Sequence, residues 1–82
     1  MEHEKDYKIV VNAEEVTVHQ HALTFDEIVK IAFPNPPSGT DPEFTVTFEK
    51  AESRPHQGTL SEGQSVTVRD GTIFDVTHTN RS

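Results

Sequence analysis

The amino-acid sequence predicts a small α+β domain, a mixed sheet of four to five strands packed on one helix. Three observations carry that prediction. Two short apolar runs alternate at the start, one segment reads as a capped amphipathic helix, and two longer alternating runs fill the second half.

The elements follow in order. Tyr7–Asn12 (YKIVVN) is strand-like, with Ile9 and Val11 on one face. A short turn at Ala13–Glu14 leads to Glu15–His19, where Val16 and Val18 alternate with Thr17. Two such runs across a short polar link predict a β-hairpin. Thr24-Phe25-Asp26-Glu27 is a capping box: the Thr24 hydroxyl caps the first turn and Glu27 reaches back to the Thr24 amide. Leu23 and Ile28 stand where a hydrophobic staple places its pair, and Phe25, Ile28, Val29 and Ala32 form one apolar stripe. Pro34 cannot continue the helix, which is expected over 25–33, and Pro36, Pro37, Gly39 and Pro42 hold a loop.

Phe44, Val46 and Phe48 then alternate with Thr45, Thr47 and Glu49, a strong strand pattern. Ala51–Gly58 is polar and rich in breakers, Leu60 is a lone apolar anchor, and Gln64–Val68 reads as a short strand. Asp70-Gly71 is a turn dipeptide. Thr72–Thr79 is the last strand, with Phe74 and Val76 on one face and Ile73, Asp75 and Thr77 on the other. The expected core is Ile9, Val11, Val16, Val18, Leu23, Phe25, Ile28, Ala32, Phe44, Val46, Phe48, Leu60, Phe74 and Val76. One helix covers one face of such a sheet, so the other face meets water. A hairpin, a helix across it and later strands beside it describe a β-grasp over residues 7–79, with residues 1–6 and 80–82 expected as flexible tails.

Composition narrows the function classes. Fourteen acidic against seven basic residues leave a net charge of −7. Nucleic acid and anionic membrane both need a basic face, so neither is expected as a partner. Without cysteine there is no disulfide, thiolate nucleophile or Cys-based zinc site. No apolar run approaches the roughly 18 residues of a membrane span, and the first six residues are acidic where a signal peptide is basic. A monomeric cytoplasmic protein is the expectation.

Five histidines raise the question of a metal. His19 and His21 lie two apart and share a face if their strand continues, but neither a cysteine nor a nearby acidic cluster completes a zinc spacing. His3, His56 and His78 are scattered, and no nucleophile-elbow motif supports a Ser-His-Asp triad. Phe44 and Phe48 could stack bases on an open sheet, yet their alternation with threonines and the negative charge favour core positions. No cofactor is expected, and no enzyme activity.

The helix entry Leu23-Thr24-Phe25-Asp26-Glu27-Ile28-Val29-Lys30 resembles that of ubiquitin, as does the double proline Pro36-Pro37 after it. The closer resemblance is to the bacterial multiubiquitin-domain family. It rests on Tyr7-Lys8-Ile9-Val10-Val11-Asn12, Ala32-Phe33-Pro34, Phe44-Thr45-Val46-Thr47-Phe48 and Gly63-Gln64-Ser65-Val66-Thr67-Val68, then on Asp70-Gly71-Thr72-Ile73-Phe74-Asp75-Val76-Thr77. It implies a ubiquitin-like modifier handled by a ubiquitin-activating-like enzyme, a conjugating-like enzyme and a JAB-type peptidase. The reactive group would be a C-terminal carboxylate, carried here by Asn80, Arg81 and Ser82. The docking surface would be the open sheet face, with Lys8, Val10, Thr45, Thr47, Ile73, Asp75 and Thr77. Two departures bear on this. The family often carries tandem domains where this chain has room for one, and the last residues, Thr79-Asn80-Arg81-Ser82, lack the Gly-Gly that threads narrow enzyme channels. A non-covalent adaptor on the same face stays open as the alternative, and a sulfur carrier of the same fold is a third reading.

Overall fold

A computed structural model describes residues 6–34 and 42–80, and of Pro42, Thr79 and Asn80 the backbone alone. Tyr7–Val11 (β1) and Glu14–Val18 (β2) form the expected antiparallel hairpin, with Val11 opposite Glu14. The turn between them is Asn12-Ala13, both at positive φ (52° and 70°). Two left-handed residues match the twist of a two-residue hairpin; asparagine adopts that conformation readily and alanine at some cost. The turn thus lies one residue earlier than the sequence pattern indicated.

The next element was not visible in the sequence. Ala22–Thr24 (β3) is a strand that pairs antiparallel with Ser65–Thr67 (β6) in a separate two-stranded sheet. Helix α1 (Phe25–Ala32) follows directly from β3. Its capping box is formed as expected: the Glu27 amide donates to Thr24 Oγ1 (3.2 Å) and the Thr24 amide donates to Glu27 Oε1 (2.9 Å). Phe33 closes the helix, its amide donating to the Val29 carbonyl (2.8 Å).

Pro42–Glu49 (β4), Gly58–Leu60 (β5) and Ile73–Asn80 (β7) complete the main sheet, in the order β2-β1-β7-β4-β5. β1 and β7 run parallel at its centre and the remaining pairs are antiparallel. One helix on a mixed five-stranded sheet with this order is the ubiquitin-like β-grasp fold.

The core lies between the sheet and the helix. Ile9, Leu23, Ile28, Val46 and Phe74 are completely buried, and Val11, Val18, Phe25, Phe48, Leu60 and Val76 nearly so. Three expected core residues are only partly buried: Val16 on the edge strand β2, Ala32 in the last helical turn, and Phe44 near the start of β4. Each belongs to the right face but stands at its margin. Four buried residues escaped the sequence pattern: Ala51, Val66, Val68 and Thr72. Val66 and Val68 belong to the segment that pairs with β3 and closes one end of the core. Thr72 is buried because its hydroxyl has partners. It lies 2.9 Å from the carbonyls of Lys50 and Arg69 and accepts from the Arg69 amide at 2.9 Å. A buried hydroxyl so satisfied carries little desolvation penalty.

Candidate functional site

The pleat sorts the main sheet into two faces. Residues opposite the helix face form rows across the strands. One row is Glu15–Val10–Ile73–Glu49, through the pairs Val10↔Glu15, Val10↔Ile73 and Glu49↔Ile73. A second is Asp75–Thr47–Thr59, and a third is Thr77–Thr45. Lys8 stands opposite Thr17. All seven surface residues expected from the sequence, Lys8, Val10, Thr45, Thr47, Ile73, Asp75 and Thr77, therefore share one face. Val10, Thr47 and Ile73 are half-buried and the other four exposed.

The rows also show what the alternation could not. The two apolar residues Val10 and Ile73 are direct neighbours, with Glu15 on one side and Glu49 on the other. Glu15, Glu49 and Asp75 surround this apolar pair, and Lys8 is the one cation of the seven. Threonines fill the remaining positions. The sequence names the residues, but only cross-strand register makes them rows.

The far end of the sheet is built differently. Pro42–Thr45 pairs with Thr77–Asn80 as a two-stranded ribbon, because β1 meets β7 only at Ile73 and Phe74, and β5 meets β4 only at Val46–Phe48. On the helix side of the ribbon, Phe33, Phe44 and His78 cluster with ring centroids 5.3–5.9 Å apart. His78 Nε2 is buried there without a hydrogen-bond partner among the described residues. β7 runs one residue beyond the expected strand and takes in Asn80. Arg81 and Ser82, the other two residues expected to carry the reactive terminus, lie outside the described residues, as do the 1–5 tail, His3 and the proline loop at 35–41.

The histidines take separate partners. The His19 Nδ1–H donates to Asp6 (2.7 Å), His21 stacks on Tyr7 with ring centroids 5.0 Å apart, and the His56 Nδ1–H donates to the Ala51 carbonyl (2.8 Å). Among the described residues no three His, Asp or Glu side chains are grouped to hold a metal. A cleft of about 350 Å³ beside β5 is lined by Phe48, Arg54, Pro55, Leu60 and Val66, among others, and brings no acid–base pair together. The described residues include no helix long and apolar enough to cross a membrane. Glu27 is held below the usual carboxylate range, chiefly by the Thr24 amide, with burial opposing and the Gln20 and Thr24 side chains assisting.

A family model described as multiubiquitin matches residues 7–80, which spans all but the margins of the chain. The chain belongs to the multiubiquitin family. Within that family it is a small ubiquitin-like domain, and the element order and sheet order above are those of the β-grasp. No curated protein and no solved structure matches the chain.

Proposed function

We propose that this multiubiquitin domain is a ubiquitin-like protein modifier of a bacterial conjugation pathway, acted on by enzymes rather than acting as one. The observation that carries the reading is the ribbon. Membership of the family makes the chain ubiquitin-like, and among the described residues the last part of β7, Thr77–Asn80, has β4 as its one strand partner.

In the proposed reaction the terminal carboxylate attacks the α-phosphate of ATP and pyrophosphate leaves, forming an acyl adenylate. An enzyme thiolate then displaces AMP to form a thioester. The activating-like and conjugating-like enzymes supply the catalytic groups, and a JAB-type peptidase trims or removes the domain. Asn80, Arg81 and Ser82 are the proposed conjugation segment in this chain. The face bearing Lys8, Val10, Thr45, Thr47, Ile73, Asp75 and Thr77 is the proposed docking surface. Its acidic surround of an apolar pair suits partners that present an apolar side chain flanked by Lys or Arg.

The same face supports a second reading, a non-covalent adaptor, because it is complete without the terminus. Intact mass after incubation with a cognate activating-like enzyme and ATP separates the two. A thioester-linked adduct that amidation of the terminal carboxylate abolishes is expected for a modifier. Partner binding that survives amidation, with no adduct formed by the unblocked chain, selects the adaptor.

A further inference from the structure

The limit between the fixed and the free part of β7 is marked by one side chain. The carbonyls of Thr72 and Phe74 accept from the amides of Val10 and Asn12, at 2.9 and 3.0 Å. The next carbonyl in that series, Val76, accepts instead from Asn12 Nδ2 (3.2 Å), while the Val76 amide donates to Asn12 Oδ1 (2.8 Å). The chain of β1 has already turned away at Asn12, whose φ is 52°. Its carboxamide therefore takes the place of the next backbone carbonyl and the next backbone amide of β1, and makes the two bonds that those groups would make in a continued parallel ladder.

We propose that Asn12 is a positioning residue that sets how far β7 can detach from the sheet. Among the described residues the backbone of Thr77–Asn80 pairs on one side only, with β4, and can peel away as an extended segment once the His78 ring leaves Phe33 and Phe44, whereas Val76 lies between Asn12 and Val46 and stays. The functional part of this inference rests on the modifier reading. An enzyme drawing the terminal segment into its site takes up the ribbon strand while the core stays closed behind it. Four residues, 77–80, then give about 13 Å of reach at roughly 3.3 Å each.

Both the peeling limit and its use can be tested. Asn12→Gly deletes the carboxamide and keeps a residue suited to positive φ. Asn12→Asp keeps the acceptor for the Val76 amide but sets a carboxylate oxygen against the Val76 carbonyl. Ala13→Gly is the control, because it alters the same turn without touching the carboxamide. Amide hydrogen exchange should show Thr77 and Thr79 fast and Val76 slow in the unaltered chain. In Asn12→Gly the Val76 amide should exchange about tenfold faster relative to Ile9 and Val46. Asn12→Asp should accelerate it less, and Ala13→Gly should leave it unchanged. Val76 exchanging as fast as Thr77 in the unaltered chain overturns the proposal, as does equal acceleration at Ile9, Val46 and Val76 in Asn12→Gly. With an activating-like enzyme, Asn12→Gly should raise KM several-fold and leave kcat unchanged. An unchanged KM despite the altered exchange removes the functional part. No adenylate from any variant, with the exchange pattern intact, rejects the modifier reading and leaves the peeling limit standing.

Discussion

The two ends of the β4–β7 ladder have similar sequence patterns and unlike surroundings. At the inner end, Val46, Phe48, Phe74 and Val76 are buried, with β1 beside β7 and β5 beside β4. At the outer end, Phe44 and His78 occupy the same face and the same register, yet both are only half-buried. Among the described residues no third strand pairs with the outer end. The alternation Phe44-x-Val46-x-Phe48 names the face on which a side chain lies; how many neighbours stand around it decides how deep it lies.

The largest effect should come from emptying the inner end. Phe74→Ala should cost about 3–5 kcal/mol, because the ring is fully enclosed and little can collapse into its place. Phe44→Ala should cost roughly 1–2.5 kcal/mol, since part of that ring already meets water. Denaturant titrations of the two variants would break the comparison if the costs were equal.

Next in size is the polar anchor beside the inner end. Thr72→Val removes the hydroxyl that bonds to Lys50 and Arg69, and should cost about 1–3 kcal/mol despite similar volume. A thermal midpoint within a degree of the parent would show that water satisfies those groups instead.

A smaller effect is expected at the helix entry. Thr24→Ala should destabilise by about 0.5–2 kcal/mol through loss of the cap. The partner Glu27 carries a pH dependence of known sign. Its folded pKa lies below its unfolded value, so its contribution is present above the ordinary glutamate range. That contribution is lost as pH falls through the lower, folded value. Glu27→Gln should therefore lose less stability than the parent between neutral pH and pH ~3. Parallel stability curves for the two chains would remove the carboxylate from the account.

The smallest change belongs to the open face of the outer end. Thr45→Ala and Thr77→Ala should shift stability by no more than about 0.5 kcal/mol, as their side chains touch mainly water. Under the proposed function, the same substitutions should weaken binding of a cognate partner, measured by calorimetry. A large loss of stability would instead give these threonines a place in the fold.

The sequence by itself determined the hairpin, the capped helix and the two long strands, and with them the two faces of the sheet. These are local or period-2 and period-3.6 features, written in neighbouring residues such as Thr24 and Glu27 or Val46 and Phe48. Alternation also named seven residues of the open face, whereas Glu15, Glu49 and Thr59 join its rows through the pairing register. Tertiary structure decided the rest. β3 is three residues, too short to carry a period, and becomes a strand because it and the expected strand β6 supply each other's backbone bonds. Thr72 is buried because carbonyls twenty-two and three residues away receive its hydroxyl. Val10 and Ile73 become one apolar pair between two glutamates only through register between strands sixty-three residues apart. Asn12, which the sequence pattern places at the end of the first strand, closes onto Val76 across sixty-four positions. Interactions at such separation depend on where the chain has been brought by the packing of all the other elements, so no window of sequence contains them.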